Sequence, residues 1–189
     1  MFDSIRVSLG RRRLLTSVGA SLSVSIAGCL GGRDETATPI TLDGERTCDQ
    51  CGMIIEDHPG PVGQIHFADD EPEGGRPAGF CSSTCTYTYR FDASDVGRDV
   101  RTVFLTDYSI VDQDVFEEGS DVLFSSHVEA EAFTRTTELT VVATSEVAGS
   151  MGPDLIPFSD DADVESFVDD YGGEPMAAES VDRATIDAL

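Results

Sequence analysis

The sequence predicts an α+β protein built from two small ββαβ-like units that pack together. Three observations carry this prediction. Short segments are rich in β-branched and aromatic residues, two helix patterns each follow a strand, and the order of elements in the second half repeats the first. About 160 residues follow an N-terminal export signal, a length that suits one modest domain or two very small ones sharing a core.

Three strands are expected in the first unit, at 62–67, 77–80 and 100–108. The first two flank an acidic, Gly-rich turn, and the third is the richest in β-branched and aromatic residues. Residues 81–91 are predicted to form a short helix with Ser82 or Ser83 as its N-cap. This order of strand, strand, helix and strand defines a ββαβ unit.

Three further strands are expected in the second half, at 122–124, 139–144 and in the segment that runs from the loop at Met151 to Phe158. A helix is predicted over 160–171, with Ser159 as its cap and Gly172-Gly173 as its end. Pro175-Met176 begins a last extended piece. The second half therefore reads as a weak internal duplication of the first.

Residues 1–29 are predicted to be an export signal of the twin-arginine type, because Arg11-Arg12 precede an apolar segment that is too short to span a bilayer. Ile26-Ala27-Gly28-Cys29 is typical of a lipobox, in which the cysteine is lipidated; an ordinary cleavable signal with an incidental cysteine is the alternative. We therefore expect a protein on the outer face of the cell membrane, held by a lipid anchor at Cys29. The rest of the chain is divided into a flexible acidic tether (30–46), a metal-binding domain (47–176) and an acidic C-terminal tail (177–189).

The charge of the chain is strongly acidic. It carries 36 Asp and Glu against 12 basic residues, for a formal net charge of −24, and every basic residue is Arg. Such self-repulsion is tolerable where salt screens it, which indicates a halophilic archaeon as the source. The acids are therefore an adaptation of solvation, and nucleic acid is excluded as a partner because its phosphates need Lys and Arg.

Two pairs of cysteines are the most informative chemical feature. Cys48 and Cys51 stand at C-x2-C spacing with Met53 close behind, and Cys81 and Cys85 stand at C-x3-C spacing. Soft sulfur ligands select Cu(I), Zn(II) or iron–sulfur clusters, and the nearby thioether favours Cu(I) because zinc sites rarely use Met.

Other interpretations of the cysteines stay open. All four could hold a structural zinc ion, with Met53 merely packing, or they could form disulfides in an oxidising exterior. Cys48 and Cys51 could also act as a dithiol redox centre, although no thioredoxin-like βαβ pattern precedes them. His66 and Met151 are further candidate ligands, and each is also explained as a structural residue. No catalytic motif stands out, so an enzyme is not expected.

The pattern as a whole resembles the nitrous-oxide reductase accessory proteins, the NosL family. The resemblance covers roughly residues 45–176 and rests on Cys51-Gly52-Met53 after a lipobox, Val103-Phe104-Leu105-Thr106-Asp107-Tyr108, Met151-Gly152, and a helix that ends in Tyr171-Gly172-Gly173. It implies an outer-face lipoprotein that binds one Cu(I) and hands copper to nitrous-oxide reductase or another apo-cuproenzyme. It also implies a fold similar to part of organomercurial lyase.

Within this resemblance, Cys51 and Met53 fall on the family's Cys-x-Met copper motif. The chain departs from the family pattern at Cys48, Cys81 and Cys85. These extra thiols make a three- or four-sulfur site possible here, in place of the simple low-coordinate site that the family implies.

Overall fold

The first half of the chain folds as the predicted ββαβ unit. The computed structural model describes residues 37–68, 72 and 75–189. Its strands and helices are β1 (Gly63–Phe67), β2 (Ala78–Phe80), α1 (Ser83–Asp95), β3 (Val100–Thr106), β4 (Val115–Glu118), β5 (Asp121–Phe124), β6 (Phe133–Arg135), β7 (Thr140–Ala143), β8 (Val147–Gly149), β9 (Gly152–Pro153), β10 (Ile156–Phe158), α2 (Asp161–Tyr171), β11 (Glu174–Ala177) and α3 (Arg183–Asp187). In the first sheet β1 is central, with β2 and β3 antiparallel on either side and β6 beyond β3.

The second unit repeats this topology. Strand β7 is central, β10 and β11 pair with it antiparallel on either side, and α2 connects those two outer strands. The registers also correspond, because Gly63 lies opposite Phe80 and Leu105 in the first sheet, and Thr140 lies opposite Phe158 and Ala177 in the second. The predicted α+β class and its two ββαβ units are confirmed.

A third sheet separates this structure from a plain duplication. It has the strand order β4-β5-β8-β9, with β5 and β8 parallel. The strand predicted at 122–124 is part of β5 and so belongs to this sheet. Strands β8 and β9 form an excursion between β7 and β10, and this excursion brings Ser150 and Asp154 toward the first unit.

The helix boundaries follow local capping chemistry. Helix α1 begins at Ser83, two residues later than predicted, because the Ser82 side chain accepts a hydrogen bond from the Cys85 N–H. Helix α2 is capped by Asp160 and not by Ser159, since the Asp160 carboxylate accepts from the Ala162 N–H. It ends as predicted at Gly172, whose φ of 69° suits a residue without a Cβ.

Residues on either side of the segment 47–176 contribute to the same compact unit. One compact unit spans Thr36–Leu189. Within the segment assigned to a flexible tether, Leu42 is fully buried and the Ile40 N–H donates to the Gln64 side chain. Within the segment assigned to the tail, Ala178 and Val181 are buried in a core with Tyr87 of α1. These buried side chains attach both segments to the cores of the domain, while most of their other described residues stay at least partly exposed.

The predicted export signal, with Cys29, lies outside the described residues. No helix in the described part of the chain combines the length and apolar character required to cross a bilayer.

Candidate metal centre

A tight turn presents the first cysteine pair. The Cys48 N–H donates to the Met53 carbonyl at 2.7 Å, and the Gly52 N–H donates to the Cys48 carbonyl at 2.8 Å. Gly52 has a φ of 81°, in the left-handed region that a residue with a Cβ rarely adopts. The turn therefore depends on glycine between Cys51 and Met53, and it folds residues 48–53 into one compact loop.

The second cysteine pair lies where a strand passes into a helix. Cys81 directly follows β2, and Cys85 occupies the first turn of α1. The N-cap bond from the Cys85 N–H to Ser82 Oγ is 2.9 Å long, and Ser150 Oγ donates to the Cys81 carbonyl at 2.7 Å. Both thiols are thus positioned by backbone contacts at the start of the helix.

These two pairs meet as a single cluster. The sulfur atoms of Cys48, Cys51, Cys81 and Cys85 all lie within 4.8 Å of one another. The Cys51–Cys81 distance is 3.4 Å and the Cys81–Cys85 distance is 4.0 Å. Metal–thiolate bonds of about 2.3 Å in a tetrahedral site place sulfurs about 3.8 Å apart, so the cluster matches the size of a one-ion site. Its four members are the sequence-predicted thiols.

The cluster is open on one side only. Cys48, Cys81 and Cys85 are buried, whereas Cys51 is exposed, and all four are free thiols. A metal ion held here would therefore be reached from solvent past Cys51.

Hydrogen bonds among the thiols concentrate negative charge on one sulfur. Side-chain hydrogen bonds from Cys81 and Cys85 lower the pKa of Cys48 well below its usual range, against the opposing effect of burial. The bond to Cys48 raises the pKa of Cys81 to about 12, and bonds to Cys48 and Cys81 together with burial raise the pKa of Cys85. The arrangement of the thiols thus favours one thiolate that accepts hydrogen bonds from neighbouring S–H groups, and a bound cation would take the place of those protons.

An ion pair anchors the cysteine turn to β2. Both oxygens of Asp49 accept from Arg76 at 2.8 Å, and Asp49 Oδ2 also accepts from the Gly79 N–H at 2.8 Å. The Asp49 N–H in turn donates to the Gly79 carbonyl at 2.9 Å. Sequence analysis missed this anchor, because nothing local indicates that residues 27 positions apart form an ion pair.

A buried carboxylate supports the other side of the cluster. The Asp154 carboxylate accepts hydrogen bonds from the backbone N–H groups of Ser83, Thr84 and Leu155 and from the Thr84 hydroxyl. Burial raises its pKa to about 6, although these hydrogen bonds oppose the shift. Sequence analysis missed this residue as well; its one signal is an acid that directly precedes an apolar strand.

The remaining sequence candidates occupy different surroundings. Met53 is half-buried and packs against the core that contains Cys48, Cys81 and Cys85. His66 is half-buried with its ring edge toward Phe104, and burial, followed by the charge of Arg101, lowers its pKa. Met151 is 53% exposed at the turn between β8 and β9, next to Ser150. Among the described residues, the four cysteines form a group of Cys, His, Asp and Glu side chains that could hold a metal ion, and His66 is not part of it.

The fold and the cluster together define a class: a small α+β protein with a four-thiol site able to hold one metal ion. The sequence profile of the NosL family matches residues 39–186, and the chain belongs to this family. The resemblance seen in the sequence is thereby confirmed.

Two known proteins are similar to this chain, one in sequence and one in fold. A protein from Stutzerimonas stutzeri, named copper-binding lipoprotein NosL, is 26% identical in an alignment of 174 positions that covers 90% of this chain and 81% of that protein. The crystal structure of the copper chaperone NosL from Shewanella denitrificans has a TM-score of 0.62 at 24% identity, over 76% of this chain and 94% of that chain. The name of the first protein describes copper binding, in agreement with the prediction that the chain is not an enzyme, and the second match shows that the fold is shared.

Proposed function

We propose that this protein is an extracytoplasmic Cu(I)-binding accessory protein, anchored to the membrane at a lipidated Cys29, that supplies copper to nitrous-oxide reductase or another apo-cuproenzyme. One observation carries the proposal: four cysteine sulfurs lie within 4.8 Å of one another, and only Cys51 among them is exposed. Membership of the NosL family and the names of its relatives support copper as the cargo.

The donor set suits a soft monovalent ion. Thiolate and thioether sulfurs prefer Cu(I) to hard cations. Cys51 and Met53 fall on the family's Cys-x-Met motif and belong to the same tight turn, so we assign both as copper ligands. Cys48 is the cysteine most readily ionised to a thiolate, because its pKa is lowered. Cys81 and Cys85 complete the sulfur environment.

Exposure of one ligand provides a route for exchange. An incoming Cu(I) ion first meets Cys51 at the surface and then the buried thiols behind it. Release reverses this order, because a sulfur or imidazole ligand of the recipient replaces the buried thiols one at a time while Cys51 still holds the ion. A low-coordinate Cu(I) site permits such stepwise exchange, whereas a closed tetrahedral site hinders it.

A Cu(I) titration tests the metal assignment. The reduced protein, assayed first for zinc, is titrated anaerobically in molar KCl against a chromophoric Cu(I) chelator. Tight one-to-one binding is expected, and Cys51→Ser should abolish it. Met53→Leu should weaken it, whereas Met176→Leu, which alters a methionine packed in the second core, serves as the matched control. Near-native affinity in Cys51→Ser would remove the site assignment.

A structural zinc site is the second candidate, because four cysteines around one point are the ligand set of structural zinc. Under that assignment zinc co-purifies stoichiometrically, and the metal-free protein unfolds since the binding energy of structural zinc is folding energy. Zinc that Cu(I) cannot displace without unfolding the domain would exclude the copper-carrier function.

Delivery requires its own experiment. Copper-loaded protein is mixed with apo nitrous-oxide reductase, and the copper centres are followed by their absorption. Transfer should be faster than from the same concentration of a Cu(I)–chelator complex and should fail with Cys51→Ser. Equal rates from the protein and the chelator would argue against a chaperone role with this recipient.

A further inference from the structure

Positive charge is concentrated in one place on this acidic protein. Seven arginines lie among the described residues, and four of them line a single cleft of about 450 Å³: Arg90, Arg98, Arg101 and Arg135. Two acids, Asp99 and Glu179, also line the cleft, so basic residues outnumber acidic ones in its lining by four to two. We call this feature the arginine cleft.

Aromatic packing holds two of these guanidinium groups in place. Arg98 stacks on the Phe67 ring at 3.6 Å from its centroid, and Arg135 lies over the Phe104 ring at 5.7 Å. Within the described part of the chain, neither Arg90 nor Arg135 forms an ion pair with a carboxylate. The planar fork of a guanidinium matches the oxygens of phosphate, so the cleft offers preorganised anion donors.

The arginine cleft lies beside the point where the N-terminal segment joins the domain. Arg135 donates to the Ala37 carbonyl at 3.0 Å, and Ala37 is the first residue that the structure describes. Cys29, the proposed lipidation site, stands eight residues earlier in the sequence. An extended chain of that length spans at most about 28 Å, so a lipid on Cys29 would keep the cleft close to the membrane.

The metal centre is at the other end of the first unit. Cys85 is in the first turn of α1, whereas Arg90 and Ser94 of the cleft follow in its later turns, up to about 14 Å along the helix axis. Similarly, the start of β3 lines the cleft. The end of β3 lies level with the end of β2, because Gly63 of β1 is opposite both Leu105 and Phe80, and Phe80 directly precedes Cys81. A surface that contacts the membrane through the cleft would therefore leave the cysteine cluster facing away from it.

We propose that the arginine cleft binds the phosphate headgroups of anionic lipids in the membrane that carries the anchored protein, and so orients the metal centre toward recipients. The inference rests on the proposed lipid anchor at Cys29. The acidic residues elsewhere on the surface do not prevent this binding. In concentrated salt their repulsion of anionic lipids acts only over a few ångströms (a Debye length of about 3 Å at 1 M), whereas direct arginine–phosphate contacts remain.

Vesicle co-sedimentation tests the proposal with residues 36–189, the compact unit with its own buried cores, so that neither a lipid nor the export signal can mediate binding. The probes are vesicles of phosphatidylglycerol in phosphatidylcholine and vesicles of phosphatidylcholine alone, in KCl from molar down to the lowest concentration that preserves the circular dichroism spectrum. We expect binding to the anionic vesicles only, weakened about fivefold or more by R90Q/R135Q, since each basic residue at an anionic surface contributes about a fivefold factor at low salt. R183Q, which changes an arginine paired with Asp92 and Asp95 outside the cleft, should bind like the unmodified protein.

Three results would overturn the proposal: equal vesicle binding by R90Q/R135Q and R183Q, absence of vesicle binding at every salt concentration that preserves the fold, or binding of inorganic phosphate in the cleft without vesicle binding, which would make it a small-anion site. A Cu(I) titration of R90Q/R135Q separates this inference from the proposed function. Unchanged copper affinity together with lost vesicle binding supports the cleft as a lipid site. If R90Q/R135Q also loses copper affinity, its fold is disturbed, and R90Q alone is then tested. That single variant should keep normal copper affinity and bind vesicles more weakly.

Discussion

The carboxylate of Asp154 accepts a hydrogen bond of 2.8 Å from the backbone N–H of Thr84, although the two residues are 70 positions apart. Asp154 precedes β10 in the second ββαβ unit, and Thr84 lies in the first turn of α1 in the first unit. A negative group at a helix N-terminus is favourable because it meets unpaired N–H groups and the positive end of the helix dipole. The contact therefore joins the two units at the turn that carries Cys85.

Asp154 should make the stability of the domain depend on pH. Its pKa is raised from 3.8 to about 6 in the folded protein, so the folded state holds a proton that the unfolded state has released. The stabilising contribution of the protonated form is complete below about 3.8 and is lost as pH rises through about 6, by about 3 kcal/mol at most. Chemical denaturation of the protein and of Asp154→Asn, in parallel from pH 4 to 7, isolates this contribution as their difference. A pH-independent difference would show that Asp154 is ionised throughout.

Gly149 provides the space that Asp154 occupies. A Cβ on Gly149 would overlap Asp154 Oδ2 and stand 3.0 Å from its Cγ. Gly149→Ala should therefore destabilise the domain by about 1–3 kcal/mol, as overpacking of a buried site does. The same substitution in an Asp154→Ala background should cost less, because the clashing carboxylate is gone; a double-mutant cycle by urea denaturation measures the difference. Strict additivity of the two changes would contradict the contact.

Asp49 should control the metal affinity without being a ligand. Its carboxylate connects the cysteine turn to Arg76 and to the Gly79 N–H, and groups that orient ligands typically change metal affinity by about 10–100-fold. Asp49→Ala should weaken Cu(I) binding by about tenfold and leave the one-to-one stoichiometry unchanged. Asp57→Ala, which removes an exposed acid just beyond the turn, is the matched control. A loss of stoichiometry in Asp49→Ala would instead indicate direct coordination.

Local patterns in the sequence indicated the elements of the two repeated units, and the family resemblance implied their topology. Strand β3 is signalled by its β-branched residues and α2 by the acids of its first turn and its terminal glycines, and these signals depend on neighbours within a few residues. The pairing of two cysteine motifs with 29 residues between them is also inferable, because each spacing alone is typical of metal ligands.

Contacts between distant segments were not predictable in this way. The segment around Leu42 has an acidic, loop-like composition, yet Leu42 is buried in the first core and Ile40 packs against it. Arg76 and Asp154 look like ordinary solvated charges in sequence, and their roles arise only when the fold brings Asp49 and the start of α1 to them. Periodicity carries no information about such pairs, since it describes one element at a time.

The two ββαβ units offer a paired test of how the fold positions the metal ligands. Ser82 caps α1 and Asp160 caps α2 at corresponding places, through bonds of 2.9 Å and 2.8 Å to backbone N–H groups. Replacement of either residue by Ala should cost about 1–2 kcal/mol of stability. Only Ser82→Ala should also weaken Cu(I) binding, because the N–H that it releases belongs to Cys85, whereas α2 carries none of the proposed ligands. Thermal melts and Cu(I) competition titrations are measured on both variants. Equal losses of copper affinity would mean that metal binding depends only on the overall stability of the domain. A loss confined to Ser82→Ala would show that the start of α1 holds the site.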